Sequence, residues 1–202
     1  VYDRVRKDMK TPFLAANAIE EGTGKSYFED YVILRKGGVK VAVIGFTNAN
    51  IRNWLSPELW SGMDFKSLIP SAQELVDKVR MDEKPDMVIV ATHSGVGSGD
   101  GNLLEGQGMD LFNSLSGVDF VICAHDHRPV VHKNDTICLL NAGSHCRNLG
   151  HGRLALTVRN GRIVSRVLDG DLINIDRKKV DQEMKARFAA DYKAVKEFTT
   201  KE

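Results

Sequence analysis

Cysteine and proline are scarce in this chain, and no hydrophobic run is long. The three cysteines, Cys123, Cys138 and Cys146, are odd in number and spread out, so no disulfide framework is written into the sequence and the redox compartment stays open. The five prolines are scattered and mark no linker. The longest apolar runs, such as Val39–Phe46 and Met87–Ala91, fall far short of the ~20 residues a bilayer-spanning helix needs. An excess of one charge is also lacking: 28 Lys+Arg against 27 Asp+Glu give +1, so no strong overall field draws the chain to nucleic acid or anionic lipid. The chain opens Val-Tyr-Asp-Arg rather than with Met or a signal sequence, and is expected to be a processed or excised piece of something longer. What is present, 42% hydrophobic and 27% charged residues over 202 positions, suits an ordinary globular domain or part of one.

The pattern along the chain predicts α/β layering with a β-rich second part. Thr11–Ala18 reads as a short buried strand. Tyr27–Leu34 and Val39–Phe46 read as a hairpin turned by Lys36-Gly37-Gly38. Val39–Phe46 is apolar at nearly every position, as a strand covered on both faces would be. Apolar residues at Phe65, Leu68, Ile69, Ala72, Leu75, Val76 and Val79 step by three and four, the mark of an amphipathic helix. Met87–Thr92 and Val118–Ala124 read as buried strands, with a helix near Gly108–Leu115 between them. Val130–Lys133, Ile137–Asn141, Gly152–Arg159 and Arg162–Leu168 are short strands, the last two joined by an Asn160-Gly161 turn. Val180–Phe198 reads as a terminal helix whose stripe of Val180, Met184, Phe188, Tyr192 and Val195 needs something to pack on.

Of the six histidines, three stand at informative places. His93 directly follows the strand Met87–Thr92, and His125 directly follows Val118–Ala124. In α/β sheets, ligand sites lie beyond the carboxyl ends of the strands. His127 adds a third ring in Ala124-His125-Asp126-His127-Arg128, and in an extended backbone an H-x-H pair sends both rings to one side. Neutral imidazole is the commonest protein metal ligand, so these rings could hold one divalent cation or parts of two. A lone histidine after a strand is more often a hydrogen-bonded loop residue, but three at such positions make chance a weaker explanation. His132, His145 and His151 read as structural or surface residues, and Asp126 as a support for its neighbours rather than a ligand.

Two glycine-rich stretches are decoys. Gly22-Thr23-Gly24-Lys25-Ser26 resembles the end of a phosphate-binding loop, but Ile19 stands where its first glycine should be and a strand follows. Ser94–Gly108 has the wrong glycine order for a dinucleotide fingerprint and reads as a mobile wall of the site opened by His93. Cys123, inside an apolar strand, reads as an inert thiol.

With these residues in place, the chain resembles the calcineurin-like metallophosphoesterases, in particular the 5′-nucleotidase/2′,3′-cyclic phosphodiesterase branch. The resemblance runs through Pro12–Asn17, Val41–Thr47, the lone-histidine block Asp86–Gly95, the block Val118–His127, and Asn141-Ala142-Gly143 followed by Leu149-Gly150, roughly Thr11–Asp169 in all. It implies a four-layer α/β/β/α sandwich around two divalent ions (Zn, Mn, Fe, Ca or Mg). It also implies that His93 and His125 bind one ion and His127 the other, with Asn17 near the site. Ala124 departs from the family's usual glycine, a change tolerable at negative φ. The family's D-x-H, G-D-x-x-D and G-N-H-[DE] motifs, which supply the remaining ligands and the catalytic histidine, do not occur here.

The resemblance therefore implies that residues 1–170 are the C-terminal half of a metallophosphoesterase catalytic domain and 171–202 a linker or terminal helix. The catalytic residues and the bridging ligand would lie in a missing N-terminal half-domain. The expected parent hydrolyses nucleotide phosphomonoesters, 2′,3′-cyclic phosphodiesters or both, by a two-metal mechanism, and this chain alone is expected to be inactive or nearly so. Periplasmic or cell-surface location follows from the resemblance only. Two rival readings are a non-catalytic scaffold with vestigial histidines and a mononuclear zinc hydrolase built on His93, His125 and His127.

Overall fold

The structure, a computed structural model, describes residues 2–176 and 178–200. Of the two expected segments, residues 1, 177, 201 and 202 lie outside the described residues. The strands are β1 (Ala18–Glu20), β2 (Tyr31–Lys36), β3 (Val39–Phe46), β4 (Met63–Phe65), β5 (Met87–Thr92), β6 (Phe120–Ile122), β7 (Pro129–Lys133), β8 (Cys138–Ala142), β9 (Asn148–Arg159) and β10 (Arg162–Asn174). The α-helices are α1 (Tyr2–Asp8), α2 (Ile51–Trp54), α3 (Leu68–Glu83), α4 (Gly108–Ser114), α5 (Gln182–Arg187) and α6 (Ala189–Thr199).

Six strands form the central sheet in the order β2-β3-β5-β6-β8-β7. Its middle four, β3, β5, β6 and β8, run parallel, so their carboxyl ends share one edge; β2 and β7 close the flanks antiparallel. One face lies under α3 and α4. Leu68, Ala72, Val76 and Val79 of α3 and Leu111 of α4 are buried against Ala42, Ile44, Val88, Val90, Val121 and Leu139. Lys84 ends α3 in a left-handed conformation, and Pro85 cannot continue the helix.

The opposite face carries the β9–β10 ribbon, with Leu154 and Leu168 on Phe120, Cys138 and Leu140. The ribbon sits close because its inner face is partly glycine: a Cβ at Gly152 would stand 2.5 Å from the Phe120 ring. The result is the mixed α/β fold with a central sheet that the resemblance implied, its layers running helix, sheet, ribbon. Among the described residues, no helix is long and apolar enough to cross a membrane.

The strands Val39–Phe46 and Met87–Thr92 fall where the periodicity puts them. Gly37 and Gly38 turn the first hairpin with φ of 58° and 82°, as a tight two-residue turn requires. Other expectations are corrected. Of the strand expected over Thr11–Ala18 only Ala18 is in a strand, as the first residue of β1; the residues before it are irregular around a single bridge at Leu14, and the buried Asn17 side chain bonds Thr47 and Lys66 instead of a ladder. Strand Val118–Ala124 shrinks to Phe120–Ile122, because Asp119 turns its carboxylate onto the Val88 amide and Ala124 turns its amide to Ser94. The terminal helix breaks at Phe188 into α5 and α6, and the strand expected over Arg162–Leu168 continues through Asn174.

Candidate metal centre at the carboxyl edge of the sheet

Each parallel strand delivers its following residues to the same edge: Thr47 and Asn48 after β3, His93 after β5, His125 and His127 after β6, and His145 after β8. His93 is fixed through its backbone. Its amide donates to the Phe46 carbonyl at 3.2 Å, and its carbonyl accepts from the buried Asn48 amide group at 3.1 Å. Asn48 also donates to the Glu105 carbonyl at 3.2 Å, so the glycine-rich loop and His93 share one anchor. Ser94 adds two further ties, its hydroxyl to Glu105 and the Gln107 amide to that hydroxyl. The base of the loop read as a mobile wall is thus pinned by several hydrogen bonds.

The His125–His127 segment is not extended, which corrects the geometry expected of H-x-H. His125 has φ of 81°, and the Asp126 amide donates to the Ala124 carbonyl at 3.1 Å, closing a γ-turn of the rarer, strained kind. His127 is left-handed at φ 58°. Ala124 is not among the residues with positive φ, so alanine in place of glycine there carries no strain.

The buried wiring around Asp126 holds this conformation. One carboxylate oxygen accepts the Val96 amide at 2.7 Å; the other accepts the Asn141 side chain at 2.8 Å and the Arg128 amide at 3.3 Å. Asp126 therefore faces inward and supports the rings on either side of it. Gly95 makes room for it, since a Cβ there would lie 3.0 Å from the Asp126 Cβ.

The rings themselves are partly or fully exposed. His93 and His125 meet edge to face with centroids 5.2 Å apart. Burial lowers the His93 pKa from the ordinary imidazole value, and the neighbouring His125 and His127 lower it further, so all three favour a neutral His93. His127 makes its ring contact elsewhere, with His145 at 6.1 Å. Among the described residues, no group of three or more His, Cys, Asp or Glu is placed to hold a metal ion, and the rings of His93, His125 and His127 make no hydrogen bond.

This donor set fits part of a divalent site. Two imidazoles sharing a tetrahedral ion have ring centres about 5 Å apart, the spacing of His93 and His125. A hard cation also calls for carboxylate oxygen, and the carboxylate between His125 and His127, that of Asp126, is spent on the backbone and Asn141.

Two features at this edge were not singled out in the sequence. Trp54, at the end of α2, stacks on His125 with centroids 4.6 Å apart and planes 17° from parallel. Its only signal was an aromatic residue shortly after a strand that leads to the site. A cavity of about 660 Å³ also opens beside His93, lined by Phe46, Leu55, Trp60, Met63 and Phe65 among others. Two readings hold. Gly22–Ser26 is a turn, with Gly22 and Gly24 at positive φ. Cys123 is buried, and its pKa is pushed up to about 12 by burial and by Asp126.

No protein-family model matches the chain. Among known proteins it is similar to the 5′-nucleotidase of Vibrio cholerae, 39% identical over 84 residues that make up 42% of this chain and 15% of that protein. It is similar over a longer stretch to the 5′-nucleotidase of Vibrio parahaemolyticus, 27% identical over 141 residues, 67% of this chain and 25% of the relative. The chain thus spans a quarter or less of the length of these relatives. Among solved structures, the calcineurin-like phosphoesterase YfkN from Bacillus subtilis superposes with a TM-score of 0.82 at 21% identity, over 98% of this chain and 67% of that one.

Proposed function

We infer, from this similarity to 5′-nucleotidases on a calcineurin-like phosphoesterase fold, that the chain is part of a metal-dependent phosphoesterase acting on nucleotide phosphomonoesters, 2′,3′-cyclic phosphodiesters or both. The observation that carries this reading is the carboxyl edge, where the parallel strands β5 and β6 deliver His93, His125 and His127, their rings without hydrogen bonds, beside an inward-facing aspartate. His93 and His125 would hold one ion and His127 would serve a second. The bridging carboxylate and the catalytic histidine would come from a segment outside these 202 residues.

Divalent ions held there would supply charge for the phosphoryl oxygens and a water acidic enough to attack at neutral pH. The chain's own residues do the positioning. Asp126 fixes the turn that presents His125 and His127, Asn48 fixes the backbone of His93, and the lowered pKa of His93 keeps its nitrogen lone pair available. The cavity beside His93, with Phe46, Leu55, Trp60 and Phe65 among its lining residues, offers a surface for the organic part of a phosphoester.

The test is phosphate release from nucleoside monophosphates and 2′,3′-cyclic nucleotides, measured on the chain alone and on the chain joined to the segment its gene encodes before Val1. The expected result is hydrolysis only by the joined protein, dependent on added divalent metal. Robust hydrolysis by the 202-residue chain would overturn the half-site reading, and none by the joined protein would favour a non-catalytic scaffold.

A further inference from the structure

We propose that His127 and His145 together form an imidazole pair that binds a borderline divalent transition cation such as Zn²⁺, with His145 as a ligand that sequence reading places on the surface. The proposal rests on the reading of this edge as a metal centre and adds to it one ligand and a class of metal.

Strand pairing brings His145 there: β8 runs parallel to β6, so the turn after β8 reaches the rim that carries His127. The two rings stand 6.1 Å apart at 70°. Closing to the spacing of about 5 Å that a shared tetrahedral ion needs takes a movement on the order of 1 Å. Both side chains are exposed, so rotation about their side-chain bonds can supply it.

The nitrogens are sorted as a ligand requires. His145 Nδ1 lies 2.8 Å from the Ser144 hydroxyl, which leaves Nε2 as the free donor atom. An outer partner on the second ring nitrogen is the usual companion of a metal-bound imidazole. The chemistry also selects the ion. Among the described residues no third His, Cys, Asp or Glu groups with the pair, and Asp126 is turned inward, so in this 202-residue chain imidazole is the donor, which suits Zn²⁺, Ni²⁺ or Cu²⁺ rather than the oxygen-seeking Mg²⁺ or Ca²⁺.

The test is titration of the metal-stripped 202-residue chain with Zn²⁺, followed by calorimetry and by NMR of the imidazole nitrogens. His127 and His145 resonances are expected to shift together in one saturable event. His145→Ala is expected to weaken Zn²⁺ binding at His127 by at least about 10-fold, the loss that removing an outer partner alone can cause. His93→Ala is expected to leave that event in place, and a thermal melt of each variant checks that the fold is kept. Zn²⁺ binding at His127 that is unchanged in His145→Ala would overturn the proposal, as would no Zn²⁺ binding at His127. Neither result touches the proposed function, which stands or falls on hydrolysis by the joined protein.

Discussion

The two ends of the central sheet are built on opposite plans. At the amino end, the buried Asp119 accepts the Val88 amide at 2.8 Å, Arg80 at 3.2 Å and Arg166. The arginines spend their remaining donors on the Gly117, Pro85 and Asp86 carbonyls. That clamp ties α3, β5, β6 and the β10 ribbon into one body. At the carboxyl end Asn48, Ser94 and Asp126 spend their hydrogen bonds on backbone that includes left-handed residues, and the buried Thr92 hydroxyl has no partner among the described residues. His125, His127, His145 and Cys146 all have positive φ, and the rings of His93, His125 and His127 are left without hydrogen bonds among the described residues. One end uses its polar groups to hold the layers together; the other uses them to hold sparsely populated backbone conformations at a rim of histidines.

The contrast breaks most visibly at Asp119. Asp119→Ala leaves two arginines and an amide without their shared acceptor and should cost about 3 kcal/mol in urea unfolding. A loss below about 1 kcal/mol would reduce the clamp to a surface ion pair. Asp126→Ala should cost less, about 1–3 kcal/mol, because its acceptors serve a turn at the rim. It should also shift the His125 and His127 ring resonances, whereas Asp119→Ala should leave them in place.

Smaller effects sharpen the same comparison. In an NMR titration His93 should titrate below the ordinary imidazole value, and His125→Gln should move it back up. A folded-state pKa lowered in this way means that the unfolded chain binds the proton more readily. The contribution of His93 to stability is therefore present above the unfolded pKa of about 6.5 and is lost as pH falls through that value and below. Alkylation of the thiols should follow exposure: Cys146 reacts first, and Cys123, its thiol pushed up to about 12, reacts only on unfolding.

Local pattern made much of this legible. Val39–Phe46 and Met87–Thr92 carry their own β signal, and the placing of His93 and His125 after strands follows from that signal alone. What escaped depends on contacts distant in sequence. The positive φ of His125 is imposed by Asp126 reaching Val96 and Asn141, which no reading of H-x-H reveals. The meeting of His127 with His145, and of Trp54 with His125, depends on which strands lie side by side. The failed strand at Thr11–Ala18 has the same origin, since Asn17 is apolar in neither chemistry nor role and bonds Thr47 and Lys66 across the fold.

The most direct test of the proposed role of the carboxyl edge is a paired measurement on the chain joined to any segment its gene encodes before Val1: nucleotide hydrolysis and thermal stability of His125→Ala. A ring that ligates metal at a rim predicts a fall in activity on the order of 100-fold with an unchanged melting temperature. Activity retained in His125→Ala would contradict the assignment of the carboxyl edge as the catalytic metal centre.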